Sequence, residues 1–260
     1  MPEFIEDTFQ NGIAPHWVRF AVGHADIQTE KGTARFIIDG AEEGLLSDAE
    51  IDDHRTVPRD KLPWKLPLRM RVRARMSHHS SEIQGTAGFG FWNDPFDWAG
   101  NVQAPPNAVW FFYASPHSDM AFDSSARGHG WKAASLNGGR ADPLTMGIGN
   151  FLFQLPGMSK LVFRLAATRI HAYEHVMDNV QLSEWHDYQI DWLAQKAIFF
   201  VDGLQVFVAP NPPNVPLGFV AWVDNNAAVM GTQREFDFRR IQVSQRQWME
   251  LAYVRIEKIR

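Results

Sequence analysis

The sequence predicts an all-β protein built as a sandwich of two sheets, and three observations carry that expectation. Aromatic residues are abundant, with 10 Trp, 19 Phe and 4 Tyr among 260 residues. Most fall in short segments punctuated by Gly, Pro, Asn and Asp, the pattern of strands and turns. Leu68 to Met76 alternates strictly, with apolar residues at even positions and Arg69, Arg71, Arg73 and Arg75 at odd ones. One face of such a strand is buried and the other solvated, whereas a helix would scatter the arginines around its circumference. Finally, Asp202-Gly203 stands between apolar runs, and its preference for positive φ suits a two-residue hairpin turn.

Taken in order, the expected strands are Thr33 to Ile38, Leu68 to Met76, Thr86 to Trp92, Ala108 to Ala114, Trp185 to Trp192, Ala197 to Val201, Leu204 to Val208 and Leu217 to Val223. Their number and spacing describe a sandwich. Leu161 to Val180 is ambiguous, because Val162, Ala166, Tyr173, Val176 and Val180 follow helical spacing while Leu161, Phe163 and Leu165 alternate; a strand is expected at its start. Asp39 to Asp53 holds seven acidic residues and no basic one, and Gly138 to Gly157 is dominated by Gly, Pro and Asn, so both are expected to be loops. No solenoid or propeller period and no long linker interrupts the chain, which reads as one domain over 1–260.

Composition narrows the function. With 25 basic and 30 acidic residues the net charge is -5, which argues against a nucleic-acid binder that needs a broad cationic surface. Zero cysteines exclude disulfides, thiolate metal sites and cysteine nucleophiles. Met1 to Asp7 has neither a basic start nor an apolar run, and no stretch approaches the ~20 apolar residues of a spanning helix. A soluble, cytoplasmic chain with no membrane partner is the expectation. Phosphate-loop, dinucleotide and serine-hydrolase motifs are absent.

Four segments, in order, resemble the concanavalin A-like lectin and glucanase superfamily, especially the laminarinase and lichenase type of glycoside hydrolase, family sixteen. They are Phe4-Ile5-Glu6-Asp7-Thr8-Phe9 followed by Trp17; Arg69 to Met76 leading into Gly88-Phe89-Gly90-Phe91-Trp92; Trp185-His186-Asp187-Tyr188-Gln189-Ile190-Asp191-Trp192 with the Val201-Asp202-Gly203 turn; and Tyr253-Val254-Arg255-Ile256. The resemblance implies a jelly roll of two curved antiparallel sheets with a concave cleft for a polysaccharide. It also implies a catalytic strand patterned Glu-x-Asp-x-Glu, whose alternate carboxylates enter the cleft at the spacing a retaining glycosidase uses. The segment at that place, Ala108 to Ser115, contains no carboxylate, and none occurs between Asp97 and Asp119. No nucleophile or acid/base of the family carries over to this chain.

Alternation puts Gly90, Trp92 and Asp94 on one face, as it does Trp110 and Phe112, and Val220, Trp222, Asp224 and Asn226. Aromatics interspersed with short polar side chains suit sugar rings, whose C–H faces pack on aromatic planes while hydroxyls bond to Asp and Asn. Trp92 and Trp222 are the best platforms; Trp110, inside an unbroken aromatic run, is expected to be buried. His171-Ala172-Tyr173-Glu174-His175 places two histidines four apart, but lacks the His-Glu-x-x-His order of zinc enzymes. On a strand His171, Tyr173 and His175 share a face, an arrangement suited to proton transfer. The arginines of 69–75 could attract an acidic polysaccharide or line a solvated outer face. The resemblance further implies a structural calcium between opening and closing strands, for which Glu6, Asp7 and Glu250 are the candidates, although Ala252 stands where an acid usually precedes the tyrosine. The expectation is thus a jelly roll that binds a carbohydrate or similar small molecule in its cleft. The alternative is a glycoside hydrolase or polysaccharide lyase using displaced acid/base groups, with Asp94, Asp97, Glu174, His175 and Asp224 as candidates. A third possibility is a structural sandwich whose cleft is filled by its own aromatics.

Overall fold

Burial alternates along β6 and β13, while β7, β8, β10 and β15 are buried almost throughout, in a computed structural model that describes residues 3–95, 104–121, 126–139, 170–230 and 237–259. In chain order the strands are β1 (Phe4–Asp7), β2 (Val18–Val22), β3 (Ala25–Glu30), β4 (Thr33–Ile38), β5 (Asp48–Asp52), β6 (Leu68–Met76), β7 (Thr86–Trp92), β8 (Asn107–Ala114) and β9 (Asp119–Met120). They continue with β10 (Gly130–Asn137), β11 (His171–Val176), β12 (His186–Trp192), β13 (Lys196–Val201), β14 (Leu204–Pro210), β15 (Gly218–Asp224), β16 (Asn226–Met230), β17 (Asp237–Arg240) and β18 (Gln247–Lys258). Two large antiparallel sheets form a jelly-roll sandwich. The first runs β14-β13-β12-β6-β18-β4-β3, with β1 also paired to β18, and the second runs β11-β10-β8-β7-β15-β5-β2. A small third sheet, β17-β16-β9, joins β16 to β9 in parallel. Among the described residues, no helix is long and apolar enough to cross a membrane.

The core lies between the large sheets. The even residues of β6 turn inward to meet Phe89, Phe91, Phe111, Tyr113, Phe199 and Phe219, all buried. Trp192 and Trp64 close one side of this core, and their indole N–H groups donate to Pro213 O (3.0 Å) and to Asp53 Oδ2 (2.6 Å). The Asp202-Gly203 hairpin forms as the sequence indicates, with positive φ at both residues, 51° and 78°.

The odd residues of β6 form the outer ladder, and its charge is already matched. Arg69 makes two 2.6 Å bonds to Asp191, Arg71 donates to Gln189 and Glu257, Arg73 to Asp187, and Arg75 to Glu250, which also accepts from Arg35. The acidic partners come from β12 and β18. Arg75 also packs over Trp185 and Trp248, 4.7 Å and 5.3 Å from the ring centres.

One expectation needs correction, and two fall wholly or partly outside the described residues. Asp39 to Asp53 is not a loop throughout: Asp48–Asp52 is strand β5, because Ala49 and Ile51 supply a period-two apolar face between the acids and are completely buried. In the ambiguous segment, His171–Val176 is the strand β11, while 161–169, where a strand was expected to start, lies outside the described residues. The expected loop of 138–157 likewise falls outside from 140 onward.

Candidate functional site

The outer face of the seven-stranded sheet, the cleft face, receives the alternate side chains that the core does not. Strand register aligns Lys132, Phe112, Gly88, Trp222, Glu50 and Phe20 in one row across it. The next row holds Glu174, Ala134, Trp110, Gly90, Val220, Asp52 and Val18.

On this face Phe112, Ala114, Val220 and Trp222 form a hydrophobic cluster separate from the main core, against which Trp92, Trp110 and Met120 pack. Trp110 lies 5.7 Å from Trp92, 5.4 Å from Trp222 and 5.5 Å from Phe112, the last pair stacked at 19°. The glycines of β7 make room for these rings. A Cβ at Gly88 would come within 2.8 Å of the Trp222 ring, and one at Gly90 within 2.5 Å of the Trp110 backbone and Cβ. Gly90 also has φ 151°, which side chains rarely adopt. The Trp222 indole donates to Thr86 Oγ1 (3.0 Å), whose hydroxyl donates to Asp224 Oδ1 (2.8 Å). Asp224 also accepts from the backbone N–H groups of Thr86 and Asn226 and from the Asn226 amide.

Sequence reasoning therefore places Trp92, Trp110, Phe112, Trp222, Asp224 and Asn226 on one face, and the structure brings them together. Two details differ. Trp110, expected to be buried, remains partly exposed, whereas Trp222 is only 8% exposed. Asp94, at φ 40°, lies at the open end of β7 with Arg59 bonded to its carbonyl, and burial raises its carboxyl against the opposing charge of His54 and Arg59.

A group that sequence reasoning missed stands next to this platform. Asp48, Glu50 and Asp52 alternate on β5, so all three side chains reach the cleft face, with Glu50 directly across from Trp222 and Asp48 from Asp224. Burial and then the neighbouring Asp224 push the Asp48 carboxyl well above its usual range; burial and then Asp48 do the same for Glu50. Arg55 ties the strand's end together, donating to Glu50 (2.8 Å) and Asp52 (3.0 Å) while covering the Phe20 ring at 4.0 Å. Asp52 accepts two further bonds from the backbone N–H groups of His54 and Arg55. Burial lowers the His54 imidazole, opposed by Asp52 and Asp94. Glu50, Asp52 and His54 bring ligand atoms within 4.8 Å of one another, a spacing that suits a metal ion, yet the Arg55 guanidinium already supplies positive charge to both carboxylates. The signal for this group was the Asp-Ala-Glu-Ile-Asp alternation.

Other candidates are not part of the platform. Glu174 lies at the β11 edge, paired with the buried Lys132 at 3.4 Å, and His175 points to the opposite face, stacked on Phe207 at 5.6 Å. The side chains of these two neighbours in sequence therefore leave β11 on opposite faces. Asp97 lies outside the described residues. The calcium candidates are also dispersed. Asp7 accepts from Phe9 N, Ala14 N and the Trp17 indole, Glu250 accepts from Thr33, Arg35 and Arg75, and Glu6 stands opposite Arg255 in the β1–β18 register, so each is already engaged with a different set of partners. The absence of carboxylates from β8 holds, but the cleft face itself is not without them.

Comparison of the fold with solved structures returns glycoside hydrolases of the same sandwich. A β-glucanase of Bacillus licheniformis superposes with a TM-score of 0.53 at 12% identity, covering 99% of each chain. A laminarinase from Flavobacterium sp. UMI-01 gives 0.53 at 12% identity over 98% of this chain and 99% of that one. A GlcNAcα1-4Gal-releasing endo-β-galactosidase from Clostridium perfringens gives 0.51 at 14% identity over 97% of this chain, which spans 61% of that protein's length. No family model matches the sequence, and no curated protein matches it either.

Proposed function

We propose that the chain binds a carbohydrate on its cleft face, with Trp92 and Trp110 as stacking surfaces over a floor of Phe112 and Trp222. The observation that carries this reading is a four-ring aromatic cluster placed outside the main core and left partly open at Trp92 and Trp110. Trp92 Nε1, Asp48 Oδ1 and Asn226 Oδ1 are buried beside it without a partner. Partly open aromatic rings match a ligand with apolar C–H faces. The structural neighbours, named as a β-glucanase, a laminarinase and an endo-β-galactosidase, support the same ligand class. Calorimetric titration with gluco- and galacto-oligosaccharides should detect binding, and Trp110→Ala should weaken it by about tenfold or more, the loss of one stacking partner. Unchanged affinity in the variant would refute the platform.

A second reading, hydrolysis of a glycosidic bond, is favoured by the carboxyl trio of β5. Glycosidases use two carboxyl groups, one held protonated to deliver a proton and one ionised, about 5 to 9 Å apart. Glu50 suits the acid, because burial and then Asp48 raise its carboxyl well above the usual carboxylate range. Asp52, whose oxygens accept from Arg55 and two backbone N–H groups, suits the carboxylate. If the chain releases reducing ends from a β-glucan, Glu50→Gln should lower that rate by about 100-fold or more while binding persists. A rate indifferent to the substitution would remove β5 from the chemistry.

A further inference from the structure

Trp222 lies across β7 with both ends of its indole fixed. Thr86 and Gly88 stand two residues apart on one face of that strand, opposite Asp224 and Trp222 of β15 respectively. At one end the indole Nε1–H donates to Thr86 Oγ1 at 3.0 Å. At the other, the six-membered ring approaches Gly88 so closely that a Cβ there would fall 2.8 Å from Trp222 Cη2. An indole nitrogen only donates, and a threonine hydroxyl carries a single proton. Thr86, accepting from Trp222, therefore gives its proton to Asp224 Oδ1 at 2.8 Å, and the chain runs one way from ring to carboxylate. Thr86 is buried, so its hydroxyl is committed to these two partners. Trp64 and Trp17, by contrast, donate straight to the carboxylates of Asp53 and Asp7. Trp222 in turn packs on the partly open Trp110 at 5.4 Å and on Phe112 at 6.1 Å, the latter stacked at 28°.

We infer that Thr86 is a positioning residue for the cleft face: its hydroxyl ties the Trp222 ring to Asp224 and so fixes the surface against which Trp110 rests. This rests on the reading of the cleft face as a carbohydrate site. Thr86 acts through Trp222, not by contact with the ligand. Without the hydroxyl, the indole N–H loses its acceptor inside a buried cluster, and the ring gains a reason to turn away from Thr86. Trp110, packed on that ring, then loses its fixed placement.

Two variants separate hydroxyl from shape: Thr86→Val keeps the branched side chain and removes the hydroxyl, whereas Thr86→Ser keeps the hydroxyl and removes the methyl. In calorimetric titrations of the full chain with gluco- and galacto-oligosaccharides, Thr86→Val should weaken binding by about tenfold and Thr86→Ser by less than about twofold. Added to Trp110→Ala, Thr86→Val should weaken binding by less than about a further twofold, because its effect passes through that ring. The indole N–H resonance of Trp222 should also shift in Thr86→Val, with no ligand present, while those of Trp64 and Trp192 stay fixed. Full affinity in Thr86→Val, equal losses in the two variants, a loss that adds in full to that of Trp110→Ala, or an unmoved Trp222 resonance would overturn the inference and leave the carbohydrate reading intact. No binding of any saccharide by the parent chain would overturn both.

Discussion

Glu50 shows how one residue's surroundings set the pH behaviour of the site. Its carboxyl is buried across from Trp222, with Asp48 beside it and Arg55 only partly compensating. Folding therefore raises its affinity for a proton, as it does for Asp48 and for Asp53, whose burial raises it to about 7. A carboxyl raised in the folded state contributes stability that is complete below its unfolded value and is lost as pH climbs through the folded one. His54, lowered by burial, acts in the opposite sense, losing stability as pH falls. The variant Glu50→Gln isolates one carboxyl, since the amide oxygen still accepts from Arg55. Thermal unfolding at about pH 5 and pH 8 should show a smaller loss of Tm toward high pH in Glu50→Gln than in the parent chain. An equal loss would mean that Glu50 is ionised in the folded protein at both values.

At the scale of elements, β5 connects the core to the site. Its even positions carry the acids while Ala49 and Ile51 fill the core between the two large sheets, so a slip by one residue would turn three carboxyls into that apolar core, away from Arg55. Ile51 is completely buried. Ile51→Ala should therefore destabilise the fold by about 2 to 5 kcal/mol, measured by denaturant unfolding. A loss below about 0.5 kcal/mol, the range of surface changes, would show that β5 is not anchored as described. The same strand marks where sequence reasoning stops. Strands such as β4, β6 and β7 are legible to the residue because their composition and their period agree. In Asp39 to Asp53 the two disagree: acids make the segment look like a solvated loop, and only the spacing of Ala49 and Ile51 betrays a strand. β9, only two residues long, carries too little pattern to be read at all, whereas β2, with Val18, Phe20 and Val22 at alternate positions, carries a strand signal that went unread. Trp110 illustrates the remaining gap, since period places it on the right face but cannot say that Trp222 would be buried while Trp110 stays partly open.

For the molecule as a whole, the two faces that do not meet in the core have different characters. The outer face of the first sheet is a ladder of arginines matched by acids of β12 and β18, with Trp185 and Trp248 stacked against the guanidiniums. The cleft face holds an aromatic cluster, buried carboxyls and unpartnered polar atoms. Tryptophans thus occur on both surfaces and in the core, and their indole N–H resonances report on each separately. In a spectrum assigned by single substitutions, addition of a binding oligosaccharide should shift the signals of Trp92 and Trp110 while those of Trp64, Trp131 and Trp192 in the core stay fixed. Shifts confined to Trp185 and Trp248, with Trp92 and Trp110 unmoved, would place the ligand on the wrong sheet and contradict the account.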